Sequence, residues 1–188
     1  VAAVARSKDK LAEVVAEITS AGGKAAAFEC DVSSSESVQK VVDGVVEQFG
    51  RLDILINDAA YNIAIPFQDL DKLTMSEWTK IIDVNLTGPM RLIKAVAPVM
   101  KRQGQGRVVN ISSVAGLQPT GSSIAYAVSK AGLIHLTRCM AVAMAPEALV
   151  NCVAPGLLEG TRATANLLPA QIERSASSSV HLVPRCSR

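Results

Sequence analysis

No run of about 20 continuous apolar residues, the length needed to span a bilayer, occurs in this sequence. Yet 49% of its 188 residues are apolar. The most hydrophobic long segment, residues 131–145, is broken by His135 and Arg138 and reads as a buried helix. A basic start followed by an apolar stretch and a cleavage site is also missing at residue 1. The expectation is a soluble, cytoplasmic protein that neither enters nor binds a membrane. Paired cysteines are absent. Cys30, Cys139, Cys152 and Cys186 lie far apart with no Cys-x-x-Cys, which argues against a zinc site or a disulfide framework. Cys139 and Cys152 sit among apolar residues and read as small core fillers. A basic face is lacking too. The chain has 19 Lys and Arg against 17 acidic residues, for a net charge of +2. The densest basic group, Lys101, Arg102 and Arg107, flanks a turn, so nucleic-acid binding is not expected. No internal repeat is found, and no linker divides the chain before residue 156.

What is present is an alternation of short apolar runs and long amphipathic segments. Residues 1–5 form a strand candidate that opens the chain directly. Residues 8–21 carry apolar side chains at helical spacing and stop at Gly22-Gly23. A strand follows at residues 25–30. Ser33 with Glu36 reads as a capping box for a helix running to Phe49. Residues 52–56 are nearly all apolar, the pattern of a strand buried on both faces of a parallel sheet. Thr74 with Glu77 marks the next helix. It runs to about Arg102, with a disturbance at residues 85–88, where Pro89 cannot donate a helix hydrogen bond. Strands at residues 107–111 and 149–153 flank a helix over 123–145. Repeated strand–helix order predicts an α/β fold: a doubly wound parallel sheet in a Rossmann-like three-layer sandwich. Residues 1–160 are read as the dinucleotide-binding and catalytic domain. Residues 161–188 are read as a substrate-loop region and irregular tail of the same domain.

Ligands of open parallel sheets bind beyond the carboxyl ends of the strands. The polar residues there are Arg6, Asp31, Asn57, Ser112, Ser113 and the Pro155-Gly156 turn. The helix starting at residue 123 adds Tyr126 and Lys130, four apart and on one face. An ammonium beside a phenol favours the phenolate, and a serine hydroxyl can donate to a substrate oxygen. Together they suit proton transfer with stabilisation of developing negative charge. Taken singly each residue has a plainer reading. A Tyr/Lys pair at this spacing is common on amphipathic helices, and a serine after a strand is often a cap.

Five segments in order carry a resemblance to the short-chain dehydrogenases/reductases, covering about residues 1 to 160. They are Asn57-Asp58-Ala59-Ala60, Val84-Asn85-Leu86-Thr87-Gly88, Asn110-Ile111-Ser112-Ser113, Tyr126-Ala127-Val128-Ser129-Lys130 and Asn151-Cys152-Val153-Ala154-Pro155-Gly156. The resemblance implies an oxidoreductase moving a hydride between NADP(H) or NAD(H) and a ketone or secondary alcohol. Tyr126 would be the acid/base, and Lys130 would hold the nicotinamide ribose and lower the tyrosine's pKa. Ser113 would bind the substrate oxygen, and Asn85 would anchor a water chain to Lys130. Asp31 and Val32 would lie at the adenine, Asn57 and Ala59 along the cofactor path, and Ile111 under the nicotinamide side of the cleft. Pro155 and Gly156 would shape the nicotinamide pocket, and Thr161, one residue later than usual, would contact the carboxamide. Arg6 stands where an acidic residue would select NAD(H). Its guanidinium can grip a phosphate with paired bonds, so NADP(H) is expected over NAD(H). The partners implied are a small-molecule carbonyl or alcohol and further copies of the chain, as a homodimer or homotetramer. The alternative is a non-catalytic or truncated relative with a structural or binding role. Two departures stand out. Asp58 and Ala60 replace the family's Asn and Gly. The family's glycine-rich turn is not found, which predicts an N-terminally incomplete member lacking the first strand and that loop, and incomplete at its C-terminus as well.

Overall fold

The computed structural model describes residues 1–156 and 181–182. Strand β1 (Ala2–Ala5) turns through Arg6 and Ser7 into helix α1 (Lys8–Ser20). Strand β2 (Ala26–Glu29) then lies parallel to β1, with Ala2 opposite Ala26 and Ala5 opposite Glu29. Helix α2 (Ser35–Phe49) buries Val38, Val41, Val42 and Val45, one stripe at helical spacing, and stops at Gly50 in the left-handed conformation. Its cap is Ser34, whose hydroxyl accepts from the Ser37 amide at 3.2 Å. The predicted cap, Ser33, is one residue early. It instead donates its amide and hydroxyl to the Asp31 carboxylate, at 2.9 and 2.6 Å.

Strand β3 (Ile54–Asn57) opens the second sheet. Helix α3 (Met75–Ile82) is capped by Thr74, as expected, through a 3.2 Å bond from the Glu77 amide. The disturbance expected near residues 85–88 is a π turn over Asp83–Thr87, after which helix α4 (Gly88–Gln103) continues with Pro89 in its first turn. Strand β4 (Gly106–Ile111), helix α5 (Ile124–Ala143) and strand β5 (Ala148–Ala154) complete the parallel unit. Ile54, Arg107 and Leu149 align across β3, β4 and β5. A short strand β6 (His181–Leu182), in a tail expected to be irregular, pairs antiparallel with β5. No helix among the described residues is long and apolar enough to cross a membrane.

One core joins these pieces. Val38, Val41 and Val42 of α2 meet Ile93, Val96 and Met100 of α4 over Val108 of β4 and Val150 of β5. Leu11, the buried residue of α1, lies outside that cluster. Helix α1 packs on β1 and β2.

Three expectations are corrected. The chain was expected to lack its first strand and to be an N-terminally incomplete member. The structure instead opens on a formed strand–helix unit, β1 and α1, from residue 2, because small apolar residues 2–5 find a parallel partner in β2. The Arg6-Ser7 turn between them contains no glycine. The strands, expected in one parallel sheet, form two groups, β1-β2 and β3-β4-β5-β6, with no pairing between the groups among the described residues. Finally, β3 is not buried on both faces. Ile54 and Ile56 are 58% and 62% exposed, since the helices cover only the face carrying Leu55, Val108 and Val150.

Candidate active site

Parallel strands in register end at one level, and the polar residues beyond them gather there. Ser113 follows β4 and caps a short turn, its hydroxyl accepting from the Ala115 amide at 3.2 Å. Helix α5 is capped by Ser123, which accepts from the Tyr126 amide at 3.2 Å, so Tyr126 and Lys130 occupy its first two turns. Two features lock that end of α5 against the strand. The Ser112 hydroxyl donates to the Lys130 carbonyl at 2.8 Å. Gly116 also lies so close that a β-carbon there would stand 2.7 Å from the Lys130 carbonyl carbon.

Lys130 is buried, 3% exposed, and its ammonium donates to the Ile111 carbonyl at 2.8 Å. It sits 5.6 Å from the centre of the Tyr126 ring. Burial pulls the lysine's pKa down, while the negative charges of the Asp58 carboxylate and of an ionised Cys152 sulfur push it up. Burial also raises the Tyr126 pKa. The Ser113 hydroxyl lowers it and Asp58 raises it further. The resemblance implied that Lys130 lowers the tyrosine's pKa. Here desolvation of the phenol outweighs other influences.

The remaining expected residues divide. Arg6 is exposed at the end of β1. Asp31, at the end of β2, is held below the usual carboxylate range by its bonds from Ser33, with Arg6 and Arg91 adding to the effect. The Val32 carbonyl accepts from Arg91 at 3.2 Å, and its side chain packs on Gly88. Ala59 is exposed just beyond β3. Pro155 accepts from the Val114 amide at 3.0 Å, so the Pro155-Gly156 turn adjoins the Ser113 turn. Thr161 lies outside the described residues.

Asn57 and Asn85 are both buried and bonded inside the fold. The Asn57 amide donates to Asn110 at 2.8 Å, and Asn110 donates to Thr137 of α5 at 2.9 Å. Asn57 therefore points into the core. Asn85 is 1% exposed and grips Tyr61, accepting from its amide at 2.7 Å and donating to its carbonyl at 3.0 Å. It also donates to Ser129 at 3.1 Å. Its side chain bonds Tyr61 and Ser129, with no bond to Lys130 among the described residues. Tyr61 and Ser129 were not read from the sequence as part of the site. Of the two, Ser129, inside the Tyr-x-x-x-Lys segment, carried a sequence signal.

The donor set suits a nicotinamide nucleotide. A lysine ammonium has three donors, and one is used by Ile111. A buried cation beside a phenol, with an exposed guanidinium at the far strand end, matches a ligand carrying both hydroxyls and phosphate.

Comparison with known proteins agrees. The profile of the short chain dehydrogenase family matches residues 1–171. The short-chain reductase protein NovJ of Streptomyces niveus is 40% identical over 158 residues, covering 82% of this chain and 58% of that protein. A 3-oxoacyl-[acyl-carrier-protein] reductase of Synechocystis sp. is 36% identical over 166 residues, covering 87% and 65%. A metagenomic short-chain oxidoreductase solved in complex with NADP superposes with a TM-score of 0.77 at 36% identity, over 83% of this chain and 70% of that one. Another similar structure is a xylitol dehydrogenase with NAD+ bound. The chain spans about half to two thirds of the length of the curated relatives it matches. With the strand-end serine, the Tyr126–Lys130 pair and the family profile in agreement, the chain belongs to the short chain dehydrogenase family.

Proposed function

We propose that this chain carries the reaction centre of an oxidoreductase that interconverts a ketone and a secondary alcohol using NADP(H). The observation that supports it most is the buried Lys130 ammonium, fixed on the Ile111 carbonyl 5.6 Å from the Tyr126 ring, with Ser113 acting on the same phenol. When bound, the nicotinamide supplies or takes the hydride. Tyr126 gives its phenolic proton to the substrate oxygen in reduction and takes it back in oxidation. Ser113 donates a hydrogen bond to that oxygen, and the Lys130 charge faces the negative charge that develops. Lys130 has donors left for ribose hydroxyls, and Arg6 with Ser7 offers a phosphate site.

The preference for NADP(H) rests on Arg6. Lys8 is paired with Glu29 at 3.2 Å, both largely exposed, so the guanidinium is the principal phosphate ligand in this reading. Paired titrations with NADPH and NADH, repeated on Arg6→Ala, test it. Tighter NADH binding by the native protein, or an unchanged preference in the variant, would overturn it. A panel of ketones and alcohols tests the activity. Tyr126→Phe should lower turnover by at least about 100-fold. Cofactor binding with no turnover on any member of the panel would favour the non-catalytic alternative.

The same proposal includes self-association through α4 and α5. Between them lies an apolar groove of about 400 Å³ lined by Met90, Ala97, Pro98 and Met140. Val142 on α5 is exposed beside it. A second copy is the occupant proposed, giving a homodimer or homotetramer, and a monomeric mass by light scattering at micromolar concentration would refute it. A cytoplasmic setting accords with Cys30, Cys139 and Cys152 being free thiols.

A further inference from the structure

Arg91, near the start of α4, has no place in the chemistry above, yet its guanidinium is forked between two segments that frame the site. One nitrogen donates to the Val32 carbonyl at 3.2 Å and another to the Asp83 carboxylate at 2.7 Å. The two side chains of this ion pair are mostly buried, 23% and 33% exposed. Val32 lies in the turn after β2, and Asp83 opens the π turn. The strand groups on either side are not paired with each other among the described residues, so the fork is a polar tie from the β1-β2 side to α4. Gly88 closes on the same turn, since a β-carbon there would stand 3.0 Å from the Val32 Cγ2. The turn so held stands beside Arg6. The Cys30 amide donates to the Ala5 carbonyl at 3.0 Å, so Asp31 and Val32 leave β2 where Arg6 leaves β1. The Asp31 amide donates to the Ser37 hydroxyl at 3.1 Å, which ties the turn to α2.

We propose that Arg91 is a positioning residue for the nucleotide end of the site, its fork fixing the Asp31–Val32 turn on the π turn as the wall against which the adenosine end of the cofactor lies. Ligands of parallel sheets bind beyond the carboxyl ends of the strands. Arg6 is the phosphate ligand in the function proposed above, and this inference rests on that reading. A turn held in place before binding loses less freedom when the ligand arrives. The same fork reaches the π turn that carries Asn85, and through Asn85 it reaches Tyr61 and Ser129. Ser129 in turn donates to the Tyr126 carbonyl at 2.7 Å. One hydrogen-bonded frame thus serves the nucleotide end and the reaction centre.

Binding is read by nucleotide fluorescence for NADPH and by calorimetry for adenosine 2′,5′-bisphosphate, which lacks the nicotinamide half. Each variant is compared below its melting midpoint and with native circular dichroism. Arg91→Met should weaken both ligands by about 10-fold, the worth of one hydrogen bond to a charged group. Asp83 separates position from charge by the sign of its effect. If charge alone mattered, removing an acidic side chain would tighten binding of an anionic nucleotide. If the fork matters, removing its anchor weakens binding. Asp83→Ala is therefore expected to weaken both ligands. The double variant should bind no more weakly than Arg91→Met, since both changes break one fork. Arg91→Lys keeps the charge without the fork and should not restore affinity. Tighter binding in Asp83→Ala, native affinity in Arg91→Lys, or a loss confined to NADPH would overturn the proposal. So would native affinity in Arg91→Met with a lowered melting midpoint, because the fork would then serve stability only. Native protein that binds neither ligand would sink the oxidoreductase reading itself, whereas native binding that the variants leave unaltered sinks only the role of Arg91.

Discussion

A single methyl group added at Gly116 would strike backbone, not a side chain that can swing aside. The β-carbon would lie 2.7 Å from the Lys130 carbonyl carbon and 2.8 Å from the Ala131 nitrogen. Gly116→Ala should therefore cost about 1–3 kcal/mol in a urea titration. It should also lower turnover by pushing the Ser113 turn away from Tyr126. Native stability together with native turnover would show that the two segments yield freely. The pKa of Tyr126 has a stability consequence as well. Because burial raises it in the folded state, its contribution is fully present below the unfolded value of about 10 and is lost as pH rises through the higher folded value. Tyr126→Phe should thus gain stability relative to the native protein between pH 8 and about 10.5, measured by denaturant midpoints at both. Lys130, with its lowered pKa, pulls the other way in that range and is common to both proteins. The residue types of the site were legible because Tyr126 and Lys130 are four apart on a helix beginning at a strand end. Side-chain direction was not legible for Asn57 and Asn85. Asn57 is the last residue of β3, and a strand's alternation chooses its face only once the neighbouring strand is known.

At the level of elements, polar side chains join strands and helix beside the apolar core. The hydrogen-bond chain from the Asn57 amide to the Asn110 amide to the Thr137 hydroxyl stitches β3 to β4 and both to α5, inside the fold. Asn110→Ala leaves the Asn57 amide without its acceptor and the Thr137 oxygen without its donor in a dry setting, although the Thr137 hydroxyl still donates to the Leu133 carbonyl. A loss of about 2–6 kcal/mol is expected by chemical denaturation, from two unmade bonds at about 1–3 kcal/mol each. A loss below about 0.5 kcal/mol would mean that water replaces the amide. The π turn at Asp83–Thr87 does a related task, directing Asn85 inward to hold both backbone groups of Tyr61. Its approximate place was legible from Gly88-Pro89, which weaken a regular helix. Its type was not, since a π turn is defined by hydrogen bonds that no spacing records. The cap of α2 shows the same limit in miniature. Ser33, Ser34 and Ser35 offer the same side chain, and Ser34 is chosen because the Asp31 carboxylate already engages Ser33.

For the molecule as a whole, the strand–helix alternation was readable from periodicity alone, while the pairing of strands was not. Apolar content at residues 52–56 suggested burial on two faces, but hydrophobicity carries no information about which neighbour supplies the cover. The outcome is two parallel groups and a strand, β3, that borders one of them. That border has a signature in amide exchange. The Asp53 carbonyl accepts from the Arg107 amide at 2.8 Å. The alternation of a parallel ladder therefore turns Leu55 and Asn57 toward β4, and the backbone groups of Ile54 and Ile56 away from it. Deuterium should enter at Ile54 and Ile56 orders of magnitude sooner than at Leu55 and Asn57, a two-residue rhythm of fast and slow within one strand. Protection at all four amides would mean that a further strand lies along that edge in solution.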